Sequence, residues 1–161
     1  MSLFADTNWL ESIYFKPEQG SSSVAKERHA IVERRMRKIT APLLISQIVL
    51  LEAHNVFARL SGVPKPPQWE QLVSDFNGRI FVDPMNWDLL RRETNLIFDR
   101  FSYKSTIGTF DAAIVASAQL AGGREILSFD ERLKAVAVTL GLKVFPELGR
   151  EGKQFVAELR S

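Results

Sequence analysis

The sequence predicts an α/β protein, a three-layer α/β/α sandwich around a parallel sheet of about five strands. Three observations predict it. Short apolar runs recur along the 161 residues, segments of helical period separate them, and helix-ending glycines punctuate those segments. Parallel strands need crossover connections long enough to hold a helix, and the spacing here supplies them.

The five runs are Leu3 to Ala5, Leu43 to Ile45, Arg79 to Val82, Glu125 to Ser128 and Lys143 to Phe145. Each is apolar or β-branched enough to lie in a covered sheet. Ser46 is placed to cap a helix from Gln47 to Leu60 that stops at Gly62. A second helix is expected from about Thr109 to Ala121, before Gly122 and Gly123, and a third from Glu131 to Leu140, before Gly141. Val24 to Ile39, Trp69 to Phe76 and Asn86 to Phe101 also have helical period, whereas GSSS at 20–23 and VPKPPQ at 63–68 read as loops. There is no internal repeat and no low-complexity tract.

Composition narrows the chemistry. At 45% hydrophobic residues the chain can bury one core, so a single compact domain is expected. The absence of cysteine excludes disulfides, thiolate metal sites and cysteine nucleophiles, and it suits a reducing compartment. No apolar run is long enough for a membrane helix and no signal peptide is evident, so a cytosolic protein is expected. With only His29 and His54, any metal would be held mainly by oxygen. The formal charge is +2, yet Lys26 to Lys38 carries six cations (Lys26, Arg28, Arg34, Arg35, Arg37 and Lys38) against Glu27 and Glu33. Such a basic element attracts phosphates, or it is simply the solvated face of a helix whose apolar stripe is Val24, Ile31, Val32 and Ile39.

Ligands of parallel α/β sheets bind beyond the carboxyl ends of the strands, where strand order reverses. Asp6 follows the first strand in LFADTNWL, and Asp130 follows the fourth in ILSFDERL. Glu52 lies on a helix stripe with Ile48 one turn before it and Val56 one turn after. Asp111, in TFDAAIVASAQLAG, has Ile107, Gly108, Ile114 and Val115 as its helical neighbours. Neither Glu52 nor Asp111 has a local cation to compensate it. Each acid also has a structural explanation: Asp is a preferred helix cap, and a first-turn acid gains about 0.3–1 kcal/mol from the helix dipole. Asp83 is the comparison case. It follows a strand too, but Pro84 comes next, and Asp-Pro reads as a helix cap with proline at the first helical position. Gathered carboxylates repel and raise one another's pKa, and Mg²⁺ or Mn²⁺ removes that cost while supplying phosphodiester chemistry.

Three stretches, LFADTNWL, ISQIVLLEAHNVFARL and TFDAAIVASAQLAGGREILSFDERLKAVAVTLGLKVFP, together resemble a PIN domain. The similarity is greatest to the single-domain ribonucleases that act as toxins in VapBC-type toxin–antitoxin pairs. It implies a PIN-like nuclease domain over 1–146 and a C-terminal extension over 147–161 that packs on the domain or a partner. It also implies that Asp6, Asp111 and Asp130 bind Mg²⁺ (or Mn²⁺), that Glu52 completes the catalytic set, and that Thr7, Asn8 and Ser128 support it. An RNA substrate, a cognate antitoxin protein and a homodimer are expected with it. Ser128 stands where the family often has Thr, and Trp9 is bulkier than the aliphatic residue usual there.

The reaction this predicts is metal-dependent endoribonuclease cleavage. Arg34, Arg35, Arg37 and Lys38 would hold the RNA backbone, and exposed aromatics such as Trp9 would take unstacked bases. Phe155, Val156 and Leu159 of the extension would form one face of a short helix without a catalytic role. The alternatives are an RNA- or protein-binding module of the same fold with little activity, and a nuclease of RNA processing without an antitoxin. A phosphotransfer protein fits less well, since the phosphatase pattern wants a second acid where Asn8 stands.

Overall fold

The computed structural model describes residues 2–101 and 104–161, and among these residues five strands alternate with eight helices. Strand β1 (Leu3–Ala5) is followed by α1 (Thr7–Tyr14) and α2 (Ser23–Met36). Strand β2 (Leu43–Ser46) leads into α3 (Gln47–Ser61) and α4 (Pro67–Ser74). Strand β3 (Ile80–Asp83) leads into α5 (Trp87–Phe101) and α6 (Thr109–Leu120). Then come β4 (Glu125–Leu127), α7 (Glu131–Thr139), β5 (Lys143–Phe145) and α8 (Arg150–Arg160).

The strands form one parallel sheet in the order β3-β2-β1-β4-β5. All three residues of β1 are buried, so the centre of the sheet is covered on both faces, which is the three-layer α/β/α arrangement. The chain steps from β1 through β2 to β3 on one side, then returns to place β4 and β5 on the other. The reversal point is therefore the gap between β1 and β4, and the loops after those two strands open into it. Three-residue strands give little pairing of their own, so their stability comes from burial. Phe4, Leu43, Ile45, Ile126 and Leu127 are all fully enclosed, and Trp9, Phe57, Phe101 and Ile114 pack into the same core.

Local chemistry explains most boundaries. Ser22 and Ser46 cap α2 and α3 by accepting from Ala25 N and Val49 N, and Gly62 ends α3 in the left-handed conformation with φ 75°. Gly123 has a different reason to be glycine: a Cβ there would lie 3.0 Å from Phe4 Cβ and 3.1 Å from Ala118 O. The end of α6 is thus pressed directly onto β1.

Several boundaries differ from expectation. Helix α1 was marked in the sequence only by Asp6 as a possible cap, yet it runs two turns. Helix α2 ends at Met36, short of Ile39, because its last carbonyls close into tight turns through Lys38 N and Ile39 N. Of its expected apolar stripe only Val32 is fully buried, and Val24 is 53% exposed. Helix α4 starts inside the expected loop, because Pro67 takes the first helical turn where its missing N–H costs nothing. Asp83 does not cap α5; its Oδ2 accepts from Met85 N, and Asn86 caps the helix by accepting from Leu89 N. The turn Asp83–Met85, with Met85 at φ 53°, leaves Pro84 outside the helix. Asp83 is still a structural acid, by a different bond.

The terminal segment is helical. Phe155, Val156 and Leu159 of α8 are buried, and α8 lies along α7. Glu131 of α7 joins the two by accepting from Gly149 N at the start of α8, and Lys134, 2% exposed, pairs with Glu131 at 2.9 Å and donates to Pro146 O at 3.0 Å. No helix among the described residues is long and apolar enough to cross a membrane.

The close contact at Gly123 gives a test of this packing. Gly123→Ala should destabilise the protein by about 1–3 kcal/mol, because the methyl group meets backbone and a core Cβ that cannot swing away. Urea denaturation would measure it, and an unchanged midpoint would show that α6 and β1 are less closely apposed.

Candidate active site

Asp6 is held where β1 becomes α1. Its backbone N donates to Leu127 O at 3.0 Å, which ties it to the neighbouring strand β4. Its carboxylate is 3% exposed. Oδ1 accepts from Thr7 N at 2.7 Å, and Oδ2 accepts from Ser128 Oγ at 2.7 Å. Asp6 is therefore both the cap of α1 and a buried acid at the sheet's carboxyl edge. Burial pushes its pKa up to about 7, against the hydrogen bonds from Ser128 and Thr7, and the charges of Glu52 and Asp130 push it further the same way.

Asp130 lies across the reversal gap from Asp6. Its Oδ1 accepts from Arg132 N at 3.0 Å and Leu133 N at 3.1 Å, capping α7, and its other oxygen is not engaged by that cap. Asp111 stands in the first turn of α6. Its pKa is raised to about 6, first by burial and then by the charges of Asp130 and Glu52, with Arg132 opposing. Glu52 reaches the group from α3 as a half-buried residue. The four acids thus come from four separate stretches and are near enough to repel one another. Among the described residues, no three acidic or histidine side chains are grouped so that they could hold a metal ion as they stand.

The supporting residues act in unequal ways. Ser128 is fully buried; it donates to Asp6 and its Oγ accepts from Asp130 N at 3.0 Å, so one hydroxyl fixes both acids. Asn8 Oδ1 accepts from Phe129 N at 3.0 Å, which locks the loop after β4 to the start of α1. Thr7 helps through its backbone N–H only. Its Oγ1 is buried and has no hydrogen-bond partner among the described residues.

Trp9 is a correction. It is fully buried, stacked on Phe129 at 5.5 Å and edge-on to Phe145 at 5.9 Å, so it offers no face to a base. It falls on the core side of α1 together with Leu10. An exposed aromatic, Phe110, immediately precedes Asp111 in α6 and is 59% exposed. Its exposure at the start of a helix is not visible in sequence.

The cations of α2 are also unequal. Arg35 is paired with Glu125 and lies 4.5 Å over the Phe145 ring, so its charge is largely spent inside the protein. Arg37 pairs with Glu33 at 2.7 Å on the surface. Arg34 and Lys38 are exposed and line a groove with Ile31, Arg35, Phe145 and Pro146. Arg28 lies 5.1 Å over Phe129, one residue from Asp130. A separate cleft between α1 and α2, lined by Ser12, His29, Glu33 and Met36 among others, contains none of the four acids.

Arg132 was not singled out from sequence. Its guanidinium lies 4.0 Å over Phe155 of α8, and its Nη2 donates to Thr106 O at 2.7 Å. The only hint available was its place two residues after Asp130.

Comparison with known proteins bears on the fold and the family. No curated protein matches the chain in sequence. Among solved structures, Mycobacterium tuberculosis VapC20, described as a sarcin-ricin loop cleaving toxin, superposes with a TM-score of 0.65 at 16% identity, over 88% of this chain and 96% of that one. At that identity the likeness is one of fold. Residues 4–139, running from the first buried strand to the end of α7, match the sequence model of the PIN domain, and on that match the chain belongs to the PIN domain family.

Proposed function

We propose that this protein is a divalent-metal-dependent endoribonuclease, acting as the toxin of a toxin–antitoxin pair. One observation carries the reading: at the strand-order reversal Asp6 and Asp111 are pushed well above ordinary carboxylate pKa values, first by burial and then by the charges of Glu52 and Asp130, which act on both. The donor set fits a hard cation. It is all oxygen, it is anionic, and it is open, as suits an ion that takes one or two direct carboxylates and keeps several waters.

Asp6, Asp111 and Asp130 would hold the ion. When bound, Mg²⁺ or Mn²⁺ supplies Lewis acidity toward a water and the phosphodiester and offsets the negative charge that gathers there. The protein's own groups do the rest. Ser128 and Thr7 N fix the orientation of Asp6. The two backbone N–H groups of α7 fix Asp130. Glu52, reaching in from α3, would take the proton of the attacking water as its oxygen bonds to phosphorus, while the bond to the leaving ribose oxygen breaks and that oxygen takes a proton from solvent water. The exposed ring of Phe110 suits an unstacked base at the cut. Arg34 and Lys38 suit the phosphates further along the strand.

The toxin role rests on the resemblance and on the fold shared with VapC20, and it brings an antitoxin and a homodimer as expected partners. Processing RNA without an antitoxin is the neighbouring reading. A small DNA-binding protein encoded beside this one that suppresses growth arrest would support the toxin role; expression without any effect on growth would count against it.

Cleavage of a mixed RNA substrate should require Mg²⁺ or Mn²⁺ and stop with EDTA. Asp6→Asn and Asp111→Asn should each lower the rate by on the order of 100-fold or more. Metal-independent cutting, or activity surviving both changes, would sink the mechanism.

Protonation provides a second test. Asp6 and Asp111 hold protons in the folded state that the unfolded chain, with carboxyls near 3.8, has already released. Stability of the metal-free protein is therefore greatest at the acid end of this window and falls as pH rises toward about 7. Between pH 5 and pH 8 its melting midpoint should drop by on the order of 5 °C, and millimolar Mn²⁺ should restore it at pH 8 but not at pH 5. A midpoint that rises over that range would contradict the assigned shifts.

Reversing the charges of Arg34 and Lys38 to Glu should weaken RNA binding and flatten its dependence on salt. Equal binding would mean that the helix face is only solvated.

A further inference from the structure

Arg132 is a surface residue whose head group is nevertheless fixed. Its guanidinium lies flat over Phe155 at 4.0 Å, and Nη2 donates to Thr106 O at 2.7 Å, its only side-chain hydrogen bond among the described residues. Its backbone N–H caps onto Asp130 Oδ1. These contacts come from three directions: α7, the segment before α6, and the terminal helix α8. They hold a cation beside the acids. It is near enough to Asp111 to oppose that residue's raised pKa, yet it makes no ion pair with Asp111 or Asp130 among the described residues. A guanidinium that only neutralised the acids would close onto one of them in a bidentate pair. This one is held back, with its other N–H donors uncommitted.

Anchoring α8 does not explain the arrangement. The helix is already seated by buried Phe155, Val156 and Leu159 and by the bond from Gly149 N to Glu131 of α7. The guanidinium on the outer face of the Phe155 ring adds little to it. What the stack does accomplish is to remove the rotational freedom of a long side chain before any anion arrives, which is the condition for electrostatic help to a transition state without reorganisation.

We propose that Arg132 binds the scissile phosphodiester of the RNA and stabilises the charge that develops on it, with Phe155 as the platform that positions its guanidinium. The proposal rests on the ribonuclease reading above and deepens it. It gives the terminal helix a share in the site, where the sequence suggested packing alone. The planar fork of arginine can donate two parallel hydrogen bonds to phosphate oxygens, which lysine cannot reproduce.

The experiment compares wild type with Arg132→Met, Arg132→Lys and Phe155→Leu in three measurements. The first is cleavage at saturating RNA with Mn²⁺. The second is Mn²⁺ affinity by calorimetry without RNA. The third is binding of a short single-stranded RNA in EDTA across a range of salt concentrations. Arg132→Met should cut on the order of 100-fold more slowly. It should bind Mn²⁺ as tightly as wild type or more tightly, because a like charge has been removed. Its log–log salt slope should fall by about 0.7, one phosphate contact on a single strand. Arg132→Lys should keep the slope but recover only part of the rate. Phe155→Leu should lose rate while retaining Mn²⁺ affinity, slope and fold. Equal cleavage and an equal slope in Arg132→Met would overturn the proposal, and so would Mn²⁺ affinity falling in step with the rate, which would make Arg132 a brace for the acids. A wild type that cuts no RNA overturns the ribonuclease reading and the proposal with it. A wild type that cuts, with Arg132→Met cutting equally well, overturns the proposal alone.

Discussion

The hydrogen bond from Ser128 to Asp6 is the point on which the rest of the site depends. It is made across the gap where strand order reverses, by two side chains sealed from water. Because the same hydroxyl also receives Asp130 N, the loops after β1 and β4 cannot shift independently. Asn8 repeats the linkage one residue further on, through Phe129 N. Behind this polar seam Trp9 stacks on Phe129 and meets Phe145 edge-on, so aromatic packing fixes the same two loops from the core side. Position is thus over-determined at the place where charge is least welcome. That combination allows a buried acid to persist without an ion pair.

The acids are costly to the fold, and the cost has a use. Desolvation and repulsion act on Asp6 and Asp111 together, and among the described residues neither forms an ion pair, whereas Arg35, Arg37 and Lys134 pair with Glu125, Glu33 and Glu131. Natural proteins commonly give up stability where function needs a strained or charged site. Here the enclosed Lys134–Glu131 pair, one turn beyond Asp130, shows that this chain can neutralise a buried charge when structure alone is at stake. The acids at the sheet edge have not been treated in that way.

Much of the fold was legible in the sequence, because a covered parallel sheet writes itself as separate apolar runs and its helices as capped, periodic segments. The strands at Leu3–Ala5 and Lys143–Phe145 and the helix stop at Gly62 follow directly from such signals. Boundaries failed where two local rules compete. Asp83 carried a helix-cap signature, but Asn86 took the cap, and a positive φ at Met85 decided the matter. The acids could be found because a carboxylate without a neighbouring cation stands out in any periodic segment. Trp9, Phe110 and Arg132 could not be sorted into core and surface in the same way. Which aromatic ring is enclosed, and which guanidinium is held still, depends on partners such as Phe129 and Phe155 that are more than a hundred or about twenty residues distant, and no local pattern encodes them.

The pairing of β1 with β4 joins residues some 120 positions apart, with Phe4 opposite Ile126 and Asp6 bonded to Ser128. Contacts that distant form late in folding, since the whole intervening loop must be closed first. During synthesis, Asp6 is made some 120 residues before the strand and loop that must seat it. A nascent polypeptide therefore carries a first acid with no neighbours to complete it. The order of strands in the sheet is in this sense a timing device: it withholds the assembled edge until translation of the domain is nearly finished.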